Sequence, residues 1–256
     1  VDLRDGAKAA ADASGMDLVV MDAQNDAGKQ MANIEDLIQK KVSVIVVNPV
    51  DSKAIVPAIE AANKANIPVI TVDRSAEGGK VVCAIASDNV AGGKMAGQYI
   101  VEKLGGKGKL VELEGLPGSS AANDRGKGFN EAVKSASGLS VVAKQPADFD
   151  RGKGMKVMEN ILQANPEINA VFAHNDEMAL GALEAIKAAN RTGMIVVGFD
   201  ATADAQKAVK DGSLAATVAQ QPKEMGKISI ETAKKILAKE SVPATIPVAL
   251  ELVVQK

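Results

Sequence analysis

An acid and a guanidinium stand side by side at Asp73-Arg74, directly after the apolar run Val69-Ile70-Thr71-Val72. Asp73 offers only acceptors and Arg74 only donors, a combination that suits hydroxyls, which both give and take hydrogen bonds. For two such residues alone, a surface ion pair in a turn is the plainer alternative. Similar groups recur after the other apolar runs: Asn48, Asp88-Asn89, Phe149, Asn175, Phe199-Asp200 and Gln220. Arg125 lies early in a helix-forming stretch entered from Gly115. Capping accounts for Asp51 and Asp88 and stays open for Asn175. It accounts less well for Phe149 and Phe199, two of only four phenylalanines, standing at strand ends rather than mid-strand. A phenyl ring at a pocket mouth gives a flat apolar wall for the C–H face of a sugar ring. Amides, carboxylates and guanidinium around it then satisfy the hydroxyls, the charged groups forming the stronger hydrogen bonds. The chemistry points to a small neutral polyhydroxylated ligand.

Other chemistries find less support. Lys+Arg 30 against Asp+Glu 32 gives a net charge of -2, so no basic field invites nucleic acid. His174 is the one histidine and Cys83 the one cysteine; they are distant in sequence and make neither a metal cluster nor a triad. No enzyme and no cofactor are expected. Cys83 lies in Val81-Val82-Cys83-Ala84-Ile85 and reads as a buried small hydrophobe. Gly105-Gly106-Lys107-Gly108-Lys109 lacks the Ser or Thr of a phosphate loop and precedes a strand, so it reads as a turn. No apolar run is long enough for a membrane helix.

These residues need a frame to hold them at one end of a sheet. Apolar runs at 16–23, 42–47, 67–74, 81–86, 109–114, 139–143, 170–173, 195–197, 214–219 and 248–254 read as strands. Helical spacing marks the stretches between them, as with Met31, Ile34, Leu37 and Ile38. Strands alternating with helices over short links argue an α/β fold with parallel sheets, and ligands then bind beyond the strands' carboxyl ends. The units are too many for one ordinary sheet. Two doubly wound domains are the economical reading.

The motifs IPVITVDR, IASDNVAGGKMAG, SSAANDRGKGF, QPADFDR, NDEMALGAL, VVGFDAT and LAATVAQQP, in this order, resemble the periplasmic ribose-binding protein family over essentially the whole chain. The resemblance implies an α/β fold of two doubly wound parallel-sheet lobes joined by a three-segment hinge. Residues 1–87 plus 221–249 would form one lobe and 88–220 plus 250–256 the other. It assigns ribose ligands to Asn48, Asp73 and Arg74, and to Arg125, Phe149, Asn175, Phe199, Asp200 and Gln220. Hinges would fall at Ser87 and Asp88, at Gln220 and Gln221, and at Ala249 and Leu250. The implied partners are D-ribose or a close relative, ABC permease subunits and a chemoreceptor, with no nucleic acid. The implied setting is a monomer in the periplasm or outside the cell, lipid-anchored in a Gram-positive host. The same two-lobed fold serves the sensor cores of sugar-responsive repressors, which is the competing reading.

Members of the family open with a strand and a loop bearing an Asn and paired phenylalanines, ahead of the helix that begins here at Val1. Without that opening, strands 16–23 and 42–47 are expected to lack a neighbour. The sheet should show a gap or a strand supplied from elsewhere, and the chain alone should bind ribose weakly or not at all.

Overall fold

The computed structural model describes residues 1–255. In chain order the elements are α1 (Asp2–Ser14), α2 (Ala27–Gln39), β1 (Ile45–Val47), α3 (Val56–Lys64), β2 (Val69–Val72), β3 (Val81–Ser87) and α4 (Asn89–Lys103). Then come β4 (Lys107–Glu114), α5 (Ser120–Lys134), β5 (Gly138–Pro146), α6 (Arg151–Ala164), β6 (Ala170–Ala173) and α7 (Asp176–Ala188). The chain continues with β7 (Ile195–Asp200), α8 (Ala203–Asp211), β8 (Ala216–Ala219), α9 (Pro222–Leu237), β9 (Thr245–Val248) and β10 (Glu251–Val254). Local chemistry fixes many boundaries. Asp26, Asp88, Asp150, Asn175 and Thr202 cap α2, α4, α6, α7 and α8 through their side-chain oxygens. Gly15 closes α1 in the left-handed conformation at φ 65.

The chain forms two compact units. One comprises Val1–Ser87, Gly118–Ala121 and Gln221–Ala249; the other comprises Asp88–Pro117, Ala122–Gln220 and the chain from Leu250 on. The short run Gly118–Ala121 thus joins the first unit, whereas the family resemblance places it in the second. Lys256, the end of the second lobe as read from sequence, lies outside the described residues.

In the first unit, β1-β2-β3-β9 form a parallel sheet. One face buries Ile34 of α2 and Ala58, Ile59 and Ala62 of α3. The other buries Ile70, Val72, Cys83 and Ile85 beneath Met225 and Ala233 of α9. In the second unit the order is β10-β8-β7-β6-β4-β5, parallel except for the β10–β8 pair. Val111, Leu113 and Val171 pack on α6, α7 and α8, while Leu110, Phe172 and Val197 pack on α4 and α5. Each sheet is therefore apolar on both faces, as a parallel sheet covered by helices must be.

Three expectations need correction. Residues 16–23 form neither helix nor strand and join no ladder among the described residues, and Leu18, Val19, Val20 and Met21 are exposed. A short apolar run has the local pattern of a strand, but a strand also needs a partner edge for its N–H and C=O groups, and among the described residues none pairs with this one. A slot of about 330 Å³ separates this segment from Val46, Ile34 and Ile230. Among the described residues β1 is accordingly an edge strand paired only to β2, so of the two expected outcomes the sheet shows the gap. Next, Lys107 and Gly108 already belong to β4, which narrows the glycine-rich turn to Gly105 and Gly106. Last, the single extended piece expected at 248–254 takes in only the final residue of β9, which begins at Thr245 in the first sheet, and, after a break at Ala249-Leu250, β10 in the second.

Candidate functional site

In the first unit, Asn48 follows β1, and Asp73 and Arg74 follow β2, so parallel neighbours deliver all three to one end of the sheet. Asn48 donates from Nδ2 to Asp73 Oδ2 at 2.9 Å. Asp73 adopts φ +66, an unusual conformation for a non-glycine residue, and its amide donates to the Ile85 carbonyl at 2.8 Å. Arg74 donates from Nη1 to the Pro49 carbonyl at 3.4 Å, and its Nε lies 3.9 Å from Asp73 Oδ2. Asn48 Oδ1 is buried and has no hydrogen-bond partner among the described residues. A buried acceptor left without a donor is costly, and this oxygen has room in its valence for one more hydrogen bond.

In the second unit the sheet order reverses at β4, which lies between β5 and β6. Such a switch point opens a crevice at the strand ends. Arg125 is 3 % exposed and held on several sides. Its Nε donates to Asn89 Oδ1 at 2.9 Å, its Nη1 to the His174 carbonyl at 2.6 Å, and Nη1 lies 3.7 Å from Asp200 Oδ1. The guanidinium carbon sits 3.8 Å from the centroid of Phe199 and 5.9 Å from that of Phe149. A guanidinium on an aromatic face is attracted by the ring quadrupole and keeps its in-plane donors available. Phe199 is fully buried, so in this unit it acts as the platform beneath Arg125. Gln220 donates from Nε2 to Asp200 Oδ1 at 2.7 Å.

Phe149 and the preceding Asp148 both have positive φ, 60 and 55. The tight turn throws the ring across Gly115, where an added Cβ would lie 2.1 Å from a ring carbon. Only glycine leaves room for that approach. Asn175 caps α7 through Oδ1, which accepts from Met178 N at 3.0 Å, while its Nδ2 donates to the Phe149 carbonyl at 3.2 Å. One end of its amide thus caps the helix while the other holds the Phe149 turn. Besides the short excursion Gly118–Ala121, the chain passes between the two units after Ser87, Gln220 and Ala249, to Asp88, Gln221 and Leu250. Asp88 accepts from Ala91 N as the cap of α4, and Gln221 Nε2 donates to the Ala249 carbonyl at 3.3 Å.

With this geometry in view, likeness to known proteins decides the family. The chain matches the periplasmic binding protein domain family over residues 1–241. It belongs to that family. It is 53% identical over 256 residues to the ribose import binding protein of Escherichia coli, covering 100% of this chain and 86% of that one. Identity to the ribose import binding protein of Bacillus subtilis is 52%, over 100% of this chain and 83% of that one. A solved ABC transporter solute binding protein from Bacillus halodurans with bound myo-inositol is similar at TM-score 0.95 and 35% identity, covering 99% of this chain and 89% of that one.

Several residues that build this periplasmic binding protein's site are not apparent from sequence. Gln30, on α2, grips the Asn48-Pro49 turn from both sides: Nε2 donates to the Asn48 carbonyl at 2.8 Å and Oε1 accepts from Val50 N at 2.9 Å. The available clue is a polar residue four before Ile34, on the helix's apolar face. Asn89 stands out in the sequence only as one of a strand-end pair, yet it orients Arg125. His174 is fully buried, accepts from Gly115 N at Nδ1 (3.2 Å) and faces Glu112 Oε1 at 3.0 Å through Nε2. Burial, outweighing the pull of Glu112, holds the imidazole below its ordinary pKa, and an accepting Nδ1 places the proton of the neutral ring on Nε2, toward Glu112. Among the described residues, no group of three or more His, Cys, Asp and Glu is placed to hold a metal ion, and no helix is long and apolar enough to cross a membrane.

Proposed function

We propose that this protein is an extracytoplasmic solute-binding protein that takes D-ribose and hands it to an ABC importer. What carries the reading is full-length identity of 53% to a ribose import binding protein, in a chain whose hydroxyl-binding side chains stand at strand ends. In this reading Asn48, Asp73 and Arg74 take one part of the sugar, and Arg125, Phe149, Asn175, Phe199, Asp200 and Gln220 take the rest. The units, residues 1–87 with 221–249 and 88–220 with the chain from Leu250, close on it about the segments at Ser87-Asp88, Gln220-Gln221 and Ala249-Leu250. A ligand shifts an open–closed equilibrium by its extra affinity for the closed form, and the closed form is what the permease reads. The repressor reading loses ground, because the relatives matched along the whole chain are import binding proteins. Titration calorimetry on the full-length gene product, with ribose, allose, arabinose and myo-inositol, tests the ligand. Ribose should bind at least tenfold more tightly than the others, and small-angle scattering should show compaction. Absence of ribose binding, or equal affinity for all four, would overturn the assignment.

A further inference from the structure

Asp200, placed in the site above, is followed by a conformation that its own sequence does not favour. Asp200 has φ 118 and Ala201 φ 55, two successive non-glycine residues at positive φ. Such backbone persists only where its surroundings hold it. The holding groups are buried and lie on other elements. Thr217 Oγ1 on β8 accepts from Ala201 N at 3.2 Å, and Asp176 Oδ2 at the start of α7 accepts from Thr202 N at 2.7 Å. The two side chains are joined, since the Thr217 hydroxyl donates to Asp176 Oδ1 at 2.6 Å. Both are fully buried. Gly198 makes room for them: an added Cβ there would lie 2.3 Å from Asp176 Oδ1.

Resting on the reading of Asp200 as a sugar ligand, we propose that Asp176 and Thr217 are positioning residues that fix the Asp200–Thr202 turn and thereby the aim of the Asp200 carboxylate. The two side chains meet successive amides, 201 and 202, so the turn has little freedom to relax. The arrangement needs an ionised Asp176, since both oxygens accept. If Oδ1 takes a proton, the bond to Thr217 reverses, and the Thr217 hydroxyl loses its acceptor. Burial, outweighing the hydrogen bond from Thr217 and aided by the charge of Asp200, raises the Asp176 pKa to about 7. Among the other charged groups on neighbouring elements, Arg151 of α6 pairs with Glu177 of α7 and Asp204 of α8, and Arg125 of α5 faces Asp200.

Stability and affinity then respond to pH with opposite signs. A carboxyl whose folded pKa is raised makes the fold more stable at low pH, a gain lost as pH rises from about 4 to about 7. Sugar affinity moves the other way, falling as Asp176 takes up its proton. Loss of packing alone would weaken fold and binding together.

The test compares wild type, Asp176→Asn, Thr217→Val, Thr217→Ser and Asp200→Ala by calorimetry with ribose at pH 8 and pH 6, and by amide hydrogen exchange without sugar. Thr217→Val should weaken ribose binding about fivefold or more, as expected for a buried donor left unsatisfied, and Thr217→Ser should restore it. The Ala201 amide should exchange at least tenfold faster in Thr217→Val than in wild type or Thr217→Ser. Wild-type affinity should fall from pH 8 to pH 6, and that dependence should flatten in Asp176→Asn. Unchanged Ala201 protection in Thr217→Val, or unchanged affinity and pH profile in folded Thr217→Val and Asp176→Asn, would overturn the proposal. Wild-type ribose affinity in Asp200→Ala is a separate failure: it would remove Asp200 from the site while the exchange data still decide what holds the turn.

Discussion

The two units solve the same sheet problem to different degrees. In the second, every strand from β8 to β4 has a neighbour on each side, and Val111, Leu113, Val171 and Phe172 are fully buried. In the first, β1 has a ladder partner only in β2 among the described residues, and the unpaired segment 16–23 exposes Val19 and Val20 at 54% each. The polar side chains beyond their strand ends differ in the same sense. Arg125 is gripped by Asn89, the His174 carbonyl, Asp200 and the face of Phe199. The Asn48 side chain has one partner among the described residues, Asp73, and an acceptor left over.

The largest expected contrast is in amide exchange. Local opening costs range from near zero to the full stability of a domain, about 5–15 kcal/mol. Amides of β6 should therefore exchange on the order of 10⁴-fold more slowly than those of residues 18–21. Protection in 18–21 comparable to β6 would show that the segment is paired in solution, and the contrast between the units would fall.

Next comes the charged group of the second unit. Removing one partner of a desolvated charged hydrogen bond costs about 1.5–3 kcal/mol, roughly 10–150-fold in affinity. Arg125→Ala and Asp200→Ala should each lose that much ribose affinity by calorimetry in the full-length gene product. Asn48→Ala removes a neutral group and should cost about 0.5–1.5 kcal/mol, roughly 2–12-fold. If Asn48→Ala costs more than Arg125→Ala, the leaner half of the site is the one that governs binding.

The sequence carried the frame further than it carried the supports. Asp73-Arg74, Asn175 and Phe199-Asp200 were legible because a buried parallel strand is a short apolar run, and the residues just beyond its carboxyl end lie where ligands bind. Arg125 was visible as a type of residue near a strand-to-helix turn, but its anchors were not. Asn89, the His174 carbonyl and Phe199 come from three other elements, and single-sequence spacing says nothing of which elements meet. The same holds for Thr217, 41 positions from its partner Asp176. Residues 16–23 failed for the opposite reason. Their local pattern is that of a strand, but strand formation is decided by a neighbour, and among the described residues β1 is reached only by β2.

The smallest effect belongs to the exposed valines. Leu113→Ala, in the buried middle of the second sheet, should cost about 2–5 kcal/mol, since it removes apolar contact and leaves a cavity. The double change Val19→Ser with Val20→Ser removes side chains that are 54% exposed each, and surface changes of this kind stay within about 0.5 kcal/mol. Solubility should respond more than stability. An extended apolar segment next to an edge strand invites pairing with other chains, and a polar side chain interrupts it. Urea unfolding should thus give the same midpoint for the double variant and the parent, while light scattering at high concentration should fall. A loss above about 1.5 kcal/mol, three times the surface expectation, would mean that these valines are packed in solution and that the first sheet is as complete as the second.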